Sequence, residues 1–146
     1  MGERVSIRLL AGQPHGPAHP APVVRLAAPL SFWGGVDIDS GEVIDASHPD
    51  RGAALAGVIL VLPGLKGSTA GPGALLELIV AGRAPAAVIT MQAELPLLVA
   101  SRTAGFLTGR TMPVGAAAGD REFARLRAAA GRLAVIERDA VLIVDD

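Results

Sequence analysis

Short apolar runs alternate along this chain with stretches of glycine, proline and charge, and the spacing of the apolar positions predicts the elements in turn. "VVRLA" (23–27) reads as a strand. "FWGGVDIDSGEVIDASHP" (32–49) carries turn chemistry at Gly34-Gly35 and at Asp39-Ser40-Gly41, between runs ending near Ile38 and Ile44, which predicts a hairpin. "AGVILVLP" (56–63) is almost continuously apolar and rich in β-branched residues, the pattern of a strand covered on both faces. Leu75, Leu76, Leu78 and Ile79 then form a helical stripe, with Pro72 suited to a first turn and Gly82 to a stop. "APAAVITM" (84–91) is strand-like, "ELPLLVASRTAGF" (94–106) helical, and "TMPVGAA" (111–117) a short strand. "DREFARLRAAAG" (120–131) places Phe123, Leu126 and Arg127 at helical spacing between an aspartate and a glycine. "RLAVIERDAVLIV" (132–144) predicts two strands about a turn at Arg138-Asp139. The order, with no internal repeat, is that of an α/β domain with a mixed or barrel-like sheet.

Ahead of this pattern, residues 1–22 read as a flexible N-terminal extension and residues 23–146 as the domain. "GQPHGPAHPAP" (12–22) is loop-like, and His15 and His19 within it read as a solvated pair because no carboxylate or thiol stands nearby.

At 146 residues the chain is long enough to bury a core, and with 51% hydrophobic but 3% aromatic residues that core must be built from Ala, Val, Leu and Ile. A net charge of −1 and scarce aromatics argue against nucleic acid, through phosphate attraction or base stacking. There is no cysteine, so neither a disulfide nor a thiolate-held zinc or iron–sulfur cluster belongs to this chain. No signal-peptide core and no run near the roughly 18 apolar residues of a spanning helix is present. The expectation is a soluble cytoplasmic protein with no membrane partner.

The chemistry concentrates in "LPGLKGSTAGPGALLELIVAG" (62–82), where glycines at 64, 67, 71 and 73 surround Lys66, Ser68 and Thr69. A phosphate-binding P-loop needs the lysine directly before the hydroxyl residue; here Gly67 intervenes. A Ser–Lys hydrolase with Lys66 as base requires a buried lysine, and no histidine–acid pair is placed to build a triad. Two readings stay open from the residues alone. One is a helix start capped by Ser68 or Thr69. The other is an anion- or carboxylate-binding loop of Gly64, Lys66, Gly67 and Thr69, whose glycines let a ligand approach the backbone.

The segment from "PLSFWGGVDIDSGEVIDASHP" to "AGRAPAAVI" (29–89) resembles the small subunit, or swivel domain, of the aconitase X family. Ser31-Phe32-Trp33-Gly34-Gly35-Val36-Asp37, Gly41, Ile44-Asp45, His48-Pro49, Gly57, Leu62-Pro63, Gly67-Ser68, Gly82 and Ala84-Pro85 carry the resemblance. It implies a swivelling β/β/α domain, with a mixed barrel-like sheet and helices, that forms the small subunit of a hydro-lyase. The separate large subunit is the implied partner and would hold the iron–sulfur centre, and this chain none. The substrate class is a hydroxy acid: cis-3-hydroxy-L-proline in bacteria, mevalonate 5-phosphate in archaea. The alanine- and arginine-rich composition with one lysine leans towards the former, and the chain's own Met1 towards a separate subunit. Ser68 matches the family's proton-accepting serine, and a helix-end dipole, backbone N–H groups and Lys66 are the means of stabilising its alkoxide. Where the family has an aspartate and then a glycine, this chain reads "AELPLLVASRTAG"; Glu94 stands in for the acid and the glycine has no counterpart. Phe32 and Trp33 are expected to pack at the Gly34-Gly35 turn, with a subunit interface as the other role for that pair. Asp37 and Asp45 are expected to bond within the hairpin or border the cleft, and His48 to be structural. The rival class is a non-catalytic swivel-type binding module, which would stay inactive beside a large subunit.

Overall fold

The computed structural model describes residues 2–12, 19–67 and 70–144. Two apolar runs, Ile59–Leu62 (β3) and Ala87–Thr90 (β4), are buried at every position and pair in parallel, with Ile59 opposite Ala87 and Leu62 opposite Thr90. Successive side chains of a strand point to opposite faces, so each run feeds two cores. Ile59, Val61, Ala87 and Ile89 join one apolar cluster; Leu60, Leu62 and Val88 join another. Ala21–Arg25 (β2) and Val114–Ala117 (β5) flank this pair, also in parallel. Leu133–Ile136 (β6) and Ala140–Ile143 (β7) form the predicted hairpin, with Glu137 N–H bonded to Ala140 O at 2.8 Å around Arg138-Asp139.

The strand that closes the sheet lies in the segment expected to be a flexible extension. Glu3–Ala11 (β1) pairs antiparallel with both β5 and β7, completing a seven-stranded closed barrel ordered β1-β5-β4-β3-β2-β6-β7. Its sequence, ERVSIRLLA, alternates: Val5 and Ile7 are buried while Arg4, Ser6 and Arg8 face out. The charged outer face disguised a strand. The domain therefore begins before residue 23, and β2 starts at Ala21 within the expected loop. One apolar cluster draws residues from all seven strands, among them Val5, Val23, Ile59, Ala87, Ala117, Ala134 and Val141, and so fills the barrel; Phe123 and Leu126 of Asp120–Ala128 (α4) close over it.

The second cluster lies outside the barrel under Gly71–Ala81 (α2) and Leu95–Thr108 (α3). Leu75, Leu78 and Ile79 of α2 and Leu97, Ala100 and Ala104 of α3 are buried there. Each fully buried leucine contributes roughly 1.5–3 kcal/mol. Gly82 ends α2 at φ +74°, with its N–H on Ile79 O and that of Arg83 on Leu78 O, a left-handed cap that a side chain would strain. The N-cap of α2 is Ala70, and the expected caps Ser68 and Thr69 lie outside the described residues. The hairpin at 36–44 is present as a single antiparallel bridge, Val36 to Val43. The Phe32–Gly35 segment (α1) is one irregular turn, with Gly34 at φ +75°.

Candidate functional site

Two parallel strands end side by side, so the loops that follow them meet. From Leu62 of β3 the chain runs through Pro63-Gly64-Leu65-Lys66-Gly67 towards α2; from Thr90 of β4 it runs to Glu94 and α3. The carboxyl ends of parallel strands are the usual place for a ligand in such folds. Leu65 N–H donates to Glu94 Oε1 at 3.2 Å. The same oxygen lies 2.6 Å from the position a Cβ on Gly64 would take, so glycine is what lets the carboxylate approach. On the other side, Leu30 bridges Leu65 in parallel, through Leu30 N–H to Gly64 O at 3.3 Å and Lys66 N–H to Leu30 O at 3.1 Å. Gly67 turns the chain at φ +82°, in the left-handed region.

Lys66 reaches away from this backbone to Asp45, with Nζ 3.0 Å from Oδ2. Asp45 is fixed in turn by Ser47, whose hydroxyl donates to Oδ1 at 2.7 Å and whose N–H does so at 2.9 Å. These two bonds first, and then Lys66, hold the Asp45 carboxyl well below the usual carboxylate range. Leu30, Ser31, Lys66, Gly67, Glu94 and Pro96 line a cleft of about 320 Å³ at this junction.

Of the expected site residues, Gly64, Lys66 and Gly67 come together here. Ser68 and Thr69 lie outside the described residues, as does His15. Asp45 borders the loop through Lys66, whereas Asp37 stays in its own turn, accepting from Asp39 N–H at 2.9 Å. His48 is structural: Asp50 N–H donates to Nδ1 at 3.0 Å, which leaves the Nε2 proton for Ala28 O at 3.1 Å. The expectation that Phe32 and Trp33 both pack at their turn holds for Phe32 alone, because Trp33 is 62% exposed. The Asp45–Lys66 and Glu94–Leu65 contacts had no local signal, since each spans more than twenty residues.

A larger cavity, about 790 Å³, opens elsewhere between the end of β1 and α3. Ser101 lines it but donates to Met112 O, and it gathers no comparable set of charged and backbone groups. Among the described residues no group of three or more His, Cys, Asp or Glu is placed to hold a metal, and no helix is long and apolar enough to cross a membrane.

Residues 12–143 match the family model of the aconitase X swivel domain. The chain belongs to this family. It is 45% identical to a cis-3-hydroxy-L-proline dehydratase of Pseudomonas aeruginosa, over 76% of this chain and 20% of that protein. It is 51% identical to the phosphomevalonate dehydratase small subunit of Methanopyrus kandleri, over 48% of this chain and 51% of the relative. The aconitase X swivel domain therefore spans about a fifth of the first relative and about half of the second. A crystal structure of Thermococcus kodakaraensis aconitase X (holo-form) superposes with a TM-score of 0.80 at 29% identity, covering 99% of this chain and 100% of that one. The mixed barrel with its helices is the swivel fold, and the relatives are dehydratases or their small subunits.

Proposed function

We propose that this chain is the small subunit of an aconitase X-type hydro-lyase that removes water from cis-3-hydroxy-L-proline, working in the cytoplasm with a separate large subunit. The observation that carries the reading is the glycine loop 64–67 set against Glu94 at the carboxyl ends of two parallel strands, in a chain of this family. The substrate choice is supported by the longer match, 76% of this chain, to the hydroxyproline enzyme; the matches to phosphomevalonate small subunits cover between 44% and 60%. Mevalonate 5-phosphate is the alternative substrate.

Ser68 is the proposed proton acceptor. A free serine hydroxyl is far too weak a base, and what supports the role is its sequence position, directly after Gly67 and two residues before the Ala70 N-cap of α2. The start of an eleven-residue helix favours negative charge, and fixed N–H donors stabilise an alkoxide without reorganising. The residues present do not fit an iron–sulfur cluster, there being no cysteine in the chain and no metal-ligating group among the described residues. That centre is assigned to the large subunit, and the role of this chain is proton transfer and ligand binding.

The test is reconstitution. The chain is purified alone and together with a cysteine-bearing large subunit, and each preparation is assayed with both substrates. Turnover of cis-3-hydroxy-L-proline by the complex alone is expected. Turnover of mevalonate 5-phosphate only would overturn the substrate, and an assembled but inactive complex would favour a non-catalytic binding module.

A further inference from the structure

The two charged residues lining the cleft differ in how they are partnered. Among the described residues lining it, Lys66 is the one cation and Glu94 the one anion. Lys66 is already compensated by Asp45 at 3.0 Å, and Asp45 is itself locked by Ser47. Glu94 is not compensated in this way. Its Oε1 accepts a neutral backbone N–H from Leu65 and sits in the space left by the missing Cβ of Gly64. No hydrogen bond to Oε2 is formed within the described residues.

We propose that Glu94 is the ammonium-binding residue of this cleft: its carboxylate receives the protonated ring nitrogen of a cyclic imino acid. The proposal rests on the dehydratase reading and deepens it by naming a substrate-binding residue. A carboxylate held in place by Leu65 loses little freedom on binding, and an N⁺–H···O⁻ bond is stronger than a neutral one.

Binding of two ring carboxylates to the assembled complex tests this. L-Proline carries the ring ammonium; cyclopentanecarboxylate has the same ring without nitrogen. Calorimetry on the wild-type complex should show L-proline bound at least about tenfold more tightly, the scale of one charge-assisted bond. Glu94→Gln should bring the ratio close to one by weakening L-proline alone, and Glu94→Asp should restore part of it. Should Glu94→Gln fail to assemble, Glu94→Asp and Gly64→Ala, which displaces the carboxylate, report the same ratio. An unchanged ratio, equal weakening of both ligands, or no wild-type preference would overturn the proposal. The dehydratase reading fails separately, as absent turnover in a wild-type complex whose binding ratio persists.

Discussion

Glu94 Oε1 stands 2.6 Å from where a Cβ on Gly64 would lie and 3.2 Å from the Leu65 nitrogen, so positions 64 and 94 form one unit across thirty residues of chain. The glycine makes room, the amide supplies the bond, and the carboxylate fixes the loop. Substitution on either side should therefore disturb the other.

Gly64→Ala should push the Glu94 carboxylate off the Leu65 amide and lower stability by about 1 kcal/mol, the scale of one lost hydrogen bond. Gly73→Ala makes the contrasting case. It lies on the exposed face of α2 with open space around its Cβ, and should raise stability by about 0.5–1 kcal/mol. Urea unfolding of the two variants beside the wild type reads both signs; equal effects would dissolve the Gly64–Glu94 unit.

Ser68→Ala, assembled with the large subunit, should lose roughly 10²–10⁴-fold in turnover, the range of general-base contributions. Single-turnover kinetics check that the loss is in the chemical step. Near-normal turnover would remove Ser68 from the mechanism.

Asp45 sets a pH dependence. Its folded pKa lies below the ordinary value of 3.8, so the unfolded chain takes up a proton first as pH falls. The stabilisation from this group is complete above about pH 4–5 and disappears as pH drops through the folded value. Asp45→Asn should thus melt below the wild type at pH 7, with the gap narrowing under acid conditions. The Ser47 hydroxyl and Lys66 both lower the Asp45 pKa, so Ser47→Ala and Lys66→Met should each raise the Asp45 titration midpoint, as read by carboxyl NMR. A midpoint unmoved by either variant would remove that partner as a cause of the depression.

His48 is buried and ties Ala28 to Asp50 through both ring nitrogens. His48→Ala should cost about 1–3 kcal/mol by stranding those backbone groups. The turnover of complex that remains folded should change little. A stable variant with greatly reduced kcat would make His48 catalytic.

Much of this fold is legible in local pattern. The fully apolar runs at 59–62 and 87–90, the helical stripe through Leu75 and Ile79, and the turn at Arg138-Asp139 each announce their element within a few residues. Glu3–Ala11 is the exception. Its buried Val5 and Ile7 are interleaved with charge, and only pairing with β5 and β7 shows which face those residues serve.

Local pattern was enough for most of the strands and helices that follow β1, for the glycine loop before α2, and for the family to which they point. Periodicity, glycine freedom and motif spacing are properties of neighbouring residues. Which acid meets that loop was decided by the tertiary structure. The parallel register that sets Leu62 opposite Thr90 brings two loop starts side by side, and so delivers Glu94 to Leu65. Asp45, just after the hairpin closed by Val36 and Val43, likewise meets Lys66, next to the Leu65 that bridges Leu30. Both contacts depend on strand pairing between distant segments, and no local periodicity encodes the distance between them.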